Sequence, residues 1–216
     1  MTSGPFGIRR LILASGSPRR RELISLLGVP FVIKAANVNE EELDGESPAD
    51  LVVRLSQAKA QAIADARPDE LIVAADTVVA LDGRVLGKPV DPDEAAHMLR
   101  LLRGRCHQVY SGISVWHPAS QRLVSEVSNT VVRMRDYTDD QIAGYVDSGD
   151  PLDKAGAYAI QHPGFDPVAS VEGCWLSVMG FPLCHVERAL AQFGVIAAPD
   201  APGVCRTFSQ HECTAR

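Results

Sequence analysis

Four short stretches of this chain concentrate side chains able to hold phosphate, move a proton or read a heterocycle. The first is Ser15-Gly16-Ser17-Pro18-Arg19-Arg20-Arg21. Ser17 suits an N-cap and Pro18 the first helical position, so a helix is expected to open there. A helix N-terminus carries unpaired N–H groups and partial positive charge, which disfavours cations in its first turn. Three arginines at that end make sense if an anion lies among them, and a strand, a Ser/Gly turn and a helix start form a natural phosphate cradle. Read alone, the same triplet could equally point into solvent. The second stretch, Asp76-Thr77, sets a carboxylate and a hydroxyl just after the apolar run Leu71–Ala75. At the end of a buried strand that pair suits a metal ligand or a general base, although an aspartate there also commonly satisfies turn N–H groups. The third, Gly87-Lys88-Pro89, allows close backbone approach and fixes the chain's exit, so Lys88 would be held rigidly against a phosphate or would be a plain surface lysine. The fourth runs from Asp153 to Gln161. Its small residues permit close approach, and the Gln161 amide, donor and acceptor in one group, could read a base edge or could simply end a surface strand.

The elements that must position these residues alternate between strand-like and helix-like, which points to an α/β domain. Arg9–Ala14 reads as a buried strand, followed by a helix from Pro18 to about Leu27 and a second strand at Phe31–Lys34. Pro48 to Ala66 carries Leu51, Val52, Leu55, Ala58 and Ala62 at helical spacing, with Ser47 as N-cap and Asp50 completing a capping-box pattern. Leu71–Ala75 and Val78–Leu81 lead into a hairpin at Asp82-Gly83. Asp91 opens a helix to about Arg103. Two long strands follow, near Cys106–Trp116 and Arg122–Arg135, and Thr138 to Gln141 forms another capping box for a helix to about Asp147. The last expected helix is Pro182–Phe193.

Composition narrows the possibilities. The chain has 216 residues, 46% hydrophobic and 22% charged, enough for a large core. With 21 Lys and Arg against 27 Asp and Glu, its formal net charge is −6, which gives no general support for nucleic-acid binding. No apolar run approaches the roughly 20 residues of a membrane span, and none reads as a secretory signal core, so neither membrane nor export is expected. The five cysteines form no C-x-x-C pair and suit a reduced, cytoplasmic protein. Cys205, His211 and Cys213 could be imagined as zinc ligands, but three ligands at irregular spacing read more plainly as thiols in a loose tail.

Taken together, Leu13-Ala14-Ser15-Gly16-Ser17-Pro18-Arg19-Arg20, Ala75-Asp76-Thr77-Val78-Val79, Leu86-Gly87-Lys88-Pro89 and Asp153-Lys154-Ala155-Gly156-Ala157-Tyr158-Ala159-Ile160-Gln161 strongly resemble the Maf family of nucleoside triphosphate pyrophosphatases, in order and at fitting spacing from about Leu11 to Leu190. The resemblance implies an α/β fold in which a curved mixed sheet with flanking helices forms two lobes around a deep cleft, similar to inosine triphosphate pyrophosphatases. One Maf-like domain is expected over residues 8–195, and 196–216, which lose apolar periodicity and gain Pro, Ser and Thr, read as a flexible tail; the resemblance implies a homodimer. The implied reaction is hydrolysis of a nucleoside triphosphate to monophosphate and pyrophosphate, with a divalent cation (Mg²⁺ or Mn²⁺) and direct attack by water. Carried over by position, Asp76 matches the general base, and Ser15, Arg19 and Arg20 match the phosphate-binding loop. Lys59 and Lys88 match its two lysines. Glu40, with Asp76, falls where the family places acidic residues near the metal. Ala155–Gln161 looks like the dTTP- and UTP-preferring branch, with Arg19, Thr77 and Gln161 at its specificity positions. The run Gly173-Cys174-Trp175 departs from that branch, which commonly has Gly-Ser-Tyr there. Two other readings are a 7-methyl-GTP or modified-nucleotide pyrophosphatase and a nucleotide-sensing regulator of cell division.

Overall fold

The computed structural model describes residues 10–63, 69–197 and 201–209. Its strands are β1 (Arg10–Leu13), β2 (Phe31–Ile33), β3 (Glu70–Leu81), β4 (Arg84–Leu86), β5 (Cys106–His117), β6 (Arg122–Met134) and β7 (Val168–Glu172). Its helices are α1 (Pro18–Ser25), α2 (Pro48–Gln61), α3 (Pro92–Leu102), α4 (Asp139–Asp147), α5 (Trp175–Val178), α6 (Leu183–Ala191) and α7 (Ala201–Ser209). The strands form one mixed sheet in the order β2-β1-β3-β5-β6-β7, with β4 also paired to β3. β1 runs parallel to β2 and β3, while β3, β5, β6 and β7 pair antiparallel in succession. This is the α/β architecture expected from the alternating pattern.

The helices start where the sequence signals they should. Ser17, Ser47, Asp91 and Thr138 each accept a backbone N–H from the third residue of their helix. Only Thr138 completes the reciprocal box, through Gln141. The Asp50 side chain instead accepts the Ser47 hydroxyl proton.

Strand β3 departs from expectation in a way that creates the site. Asp76 and Thr77 do not end a strand; they lie in the middle of a continuous one. β5 pairs along one edge of β3 from Ile72 to Ala80. The other edge is shared, with β1 covering Arg10–Leu13 opposite Glu70–Val73 and β4 covering Val79–Leu81. The sheet therefore forks on that edge, and the residues between the two short neighbours face an opening.

Alternation along β3 sorts its side chains onto two faces. Leu71, Val73, Ala75, Val79 and Leu81 join the main core with α1, α3, α4, α5 and α6, whereas Ile72, Ala74 and Val78 face α2. Asp76 thus points to the α2 face and Thr77 to the opposite one. α2 lies unusually close to the sheet at Gly112, the cross-strand partner of Asp76. A Cβ there would come within 2.3 Å of the Val52 carbonyl oxygen.

Three elements were absent from the sequence expectation: β7, α5 and α7. The flexible tail expected over 196–216 includes α7, which packs on α5 and α6 and buries Cys205 in the main core. A nine-residue helix is marginal alone, and docking supplies the stability its sequence does not advertise. His211 and Cys213 lie outside the described residues, as does the expected last turn of the second helix.

Because the clash at Gly112 is with backbone, Gly112→Ala is expected to force α2 off the sheet and to destabilise by about 2 kcal/mol or more, read as a lower midpoint in urea unfolding. An unchanged midpoint would show that α2 does not bear on the sheet there.

Candidate active site

The opening on β3 leads into a cavity of about 370 Å³. Ser15, Arg19, Arg20, Glu40, Lys59, Thr77, Lys88 and Gln161 all line it. Eight residues spread over 147 positions of sequence are thus gathered at one place, and Asp76 joins them through its contact with Lys59.

On the α2 face, the Lys59 ammonium donates to Asp76 Oδ1 at 2.5 Å and lies 2.7 Å from Glu40 Oε1. Lys59 and Asp76 are both buried, whereas the Glu40 side chain is half exposed. Burial pushes the Glu40 carboxyl upward, but the hydrogen bond from Lys59 and the charges of Lys59, Lys88 and Arg20 outweigh it and hold it below its ordinary value. Lys88 sits exposed at the rim, on a loop whose Gly87 carbonyl accepts the Gly156 N–H at 3.0 Å.

The three arginines have three different fates. Arg21 is exposed. Arg19 is partly exposed and lies 3.6 Å from Asp153 across the cavity mouth. Arg20 turns inward and uses its donors on the protein itself. Its Nε donates to the Gly180 carbonyl at 2.9 Å and its Nη1 to the Ala75 carbonyl at 2.7 Å. Nη1 also reaches Ser15 Oγ, and Nη2 donates to Thr77 Oγ1 at 3.3 Å. Burial lowers the Arg20 pKa from its ordinary value, with Asp76 and Glu40 pulling the other way. Two of the triplet, Arg19 and Arg20, thus line the cavity, but much of Arg20's fork is spent on tying α1, β3 and the turn at Gly180 together.

The cavity is also apolar in part: Val79, Val109, Tyr158, Ile160, Val178 and Met179 line it, as does Gln161, which is exposed. The segment carrying Tyr158 and Gln161 is not a strand end; it follows a tight turn with Gly156 at φ 68° and Ala157 at φ 60°. Gly156 is required there, because a Cβ would meet Val79 at 2.9 Å in a left-handed conformation. Tyr158 is anchored from below by His107, whose Nε2 lies 2.8 Å from the phenol oxygen. Burial drives the His107 imidazole down to about 4.

Sequence reading did not single out Ser111, His107 or the carbonyls of Ala75 and Gly180 for this site. Carbonyls carry no side-chain signal, and Ser111 and His107 look like ordinary members of an alternating strand.

Similarity to known proteins agrees with the geometry. The family model for Maf-like protein matches residues 10–193. This chain belongs to the Maf family. It is 48% identical over 187 residues to a dTTP/UTP pyrophosphatase of Moorella thermoacetica, covering 86% of this chain and 96% of that protein. A dTTP/UTP pyrophosphatase of Symbiobacterium thermophilum is 43% identical, covering 87% of this chain and 95% of the relative. One from Bacillus cereus is 42% identical over 188 residues, covering 87% and 97%. A solved HAM1 protein from Coxiella burnetii is a distant structural likeness, with TM-score 0.45 and 11% identity over 94% of this chain and 100% of that one. Within this Maf protein no described helix is long and apolar enough to cross a membrane.

Two substitutions separate scaffold from surface. Arg20→Lys cannot reproduce a planar fork and would leave buried carbonyls short of donors, so a loss of about 2 kcal/mol is expected in urea unfolding. Arg19→Lys is expected to change stability by less than about 0.5 kcal/mol. Equal effects would refute the assignment. A second expectation concerns acid. The unfolded chain takes up a proton that buried His107 refuses, so this contribution to stability is full above the unfolded pKa near 6.5 and is lost as pH falls toward 4. His107→Gln is expected to flatten the dependence of unfolding free energy on pH in that window by up to about 1.4 kcal/mol per unit.

Proposed function

We propose that this Maf protein hydrolyses dTTP and UTP to the nucleoside monophosphate and pyrophosphate. The observation that carries the reading is a single cavity whose lining combines the cations Arg19, Lys59 and Lys88 with the apolar side chains of Val79, Val109, Tyr158 and Ile160. A triphosphate carries close to four negative charges, and in a protein of net charge −6 it needs such a local reserve of cations. The dTTP/UTP names of the relatives support the choice of base.

The residues present fit a hard divalent cation such as Mg²⁺ or Mn²⁺. Glu40 and Asp76 already converge on one cationic centre, the Lys59 ammonium. Among the described residues no group of three or more His, Cys, Asp or Glu could form a protein-only cage. Two carboxylates completed by substrate phosphates and water is the usual arrangement for Mg²⁺. When bound, the cation would neutralise charge on the phosphate oxygens. In our reading Asp76 takes a proton from the attacking water, the role for which a carboxylate fixed in mid-strand is suited. Lys59 and Lys88 hold the phosphates, Arg19 leaves Asp153 to join them, and Gln161 meets the base. No side chain is assigned as a covalent nucleophile. A homodimer in the cytoplasm remains the setting we propose from family resemblance.

Pyrophosphate release from a panel of triphosphates, with Mg²⁺ or Mn²⁺ and again with chelator, tests the reading. The expected result is release from dTTP and UTP that chelator abolishes. Asp76→Asn is expected to lower turnover by at least about 10³-fold while nucleotide binding persists. Release from 7-methyl-GTP in preference to dTTP, or from no triphosphate at all, would replace it with one of the other readings.

A further inference from the structure

Beside the cavity a chain of hydroxyl groups fixes the polarity of one side chain that lines it. Ser111, on β5, is fully buried. Its Oγ lies 2.8 Å from the Ser177 carbonyl and 2.9 Å from Thr77 Oγ1. A serine hydroxyl has one proton and a carbonyl has none, so the Ser111 proton belongs to the Ser177 carbonyl. The Thr77–Ser111 bond is then possible only if Thr77 donates. Thr77 has no second proton to offer. One of its two lone pairs accepts from Arg20 Nη2 at 3.3 Å. The other is left for the cavity that Thr77 lines.

The Ser177 carbonyl cannot turn away to relax this order. It also accepts the Gly180 N–H at 2.9 Å, closing the turn whose Gly180 carbonyl binds Arg20 Nε. Arg20, Thr77, Ser111 and the 177–180 turn form one closed circuit of hydrogen bonds.

We propose that Ser111 is a positioning residue for base selection: it compels Thr77 to present an acceptor, and only an acceptor, to the nucleotide. This deepens the proposed function and rests on it. Thymine and uracil carry a proton at N3, so they offer a donor to that acceptor. Cytosine carries a bare lone pair at N3 and would set two acceptors against each other. A buried polar site rejects the wrong partner by leaving groups unpaired. A thymine or uracil nucleotide has one other class of donor, the sugar hydroxyls, and the test separates the two.

The measurement is the ratio of dissociation constants for dCTP and dTTP, which needs no turnover. Ser111→Ala frees the Thr77 hydroxyl to rotate and donate, so the preference for dTTP is expected to fall about 10-fold, chiefly through tighter dCTP binding. Ser111→Cys, with a weaker donor and acceptor, is expected to fall between. A purely structural role would weaken both nucleotides equally and leave the ratio unchanged, which would overturn the inference. Thr77→Val reads the same acceptor without touching Ser111 and is expected to weaken dTTP while sparing dCTP; an unchanged ratio there counts equally against it. In the unaltered protein, N3-methyl-dTTP is expected to bind at least about 10-fold more weakly than dTTP, and 3′-deoxy-dTTP about as well. The opposite pattern would assign the acceptor to the sugar and overturn base selection by Ser111. Pyrophosphate release from dTTP with an unchanged ratio in Ser111→Ala removes this inference and leaves the proposed function standing. Failure of any pyrimidine triphosphate to bind removes both.

Discussion

The Ala75 carbonyl accepts its hydrogen bond from the guanidinium of Arg20, where a neighbouring strand would ordinarily supply the donor. A buried backbone acceptor must be satisfied, and in a sheet the next strand does it. Here β1 stops opposite Val73 and β4 begins opposite Val79, so neither can reach. A side chain from α1 closes the gap without covering it. That substitution keeps a long strand intact while leaving its centre open to a ligand. It also welds α1 to the turn at Gly180, two segments 160 residues apart in sequence.

The same opening sorts chemistry by face. Strand alternation sends Asp76 toward α2 and Thr77 away from it, so a carboxylate and a hydroxyl adjacent in sequence serve opposite walls. Gly112 lets the α2 backbone lie against the sheet beside Asp76, and the same helix carries Lys59, two turns beyond Val52, to within 2.5 Å of Asp76. A buried ammonium and carboxylate are costly to desolvate and are retained where they are well paired. Lys59 has two acidic partners, and the second, Glu40, reaches it from an otherwise exposed loop. The acidic whole and the cationic cavity are compatible because charge is assigned locally.

Much was legible beforehand. The capped starts at Ser17, Ser47, Asp91 and Thr138, the apolar run of β3, the two long strands β5 and β6, and the helical spacing of α2 are local signals, and local physics honours them. Ser15, Arg19, Arg20, Lys88 and Gln161 stood out by residue type and neighbours, and all line one cavity, to which Asp76 is tied through Lys59. The short elements β7, α5 and α7 were not. Four to nine residues carry too little periodicity to stand apart from loop, and their stability comes from the partners they dock on.

The amino-acid sequence by itself determined which residues could bind phosphate, take a proton or read a base, because those capacities belong to the side chains and their immediate neighbours. Only the tertiary structure decided which capacities are spent. Arg19 and Arg20 are indistinguishable as letters, yet one faces the cavity mouth and the other is consumed by backbone carbonyls. Thr77 could donate or accept until Ser111 and Ser177 removed the choice. The reason is that a hydrogen bond is a relation between groups brought together by folding, and each proton can be given only once.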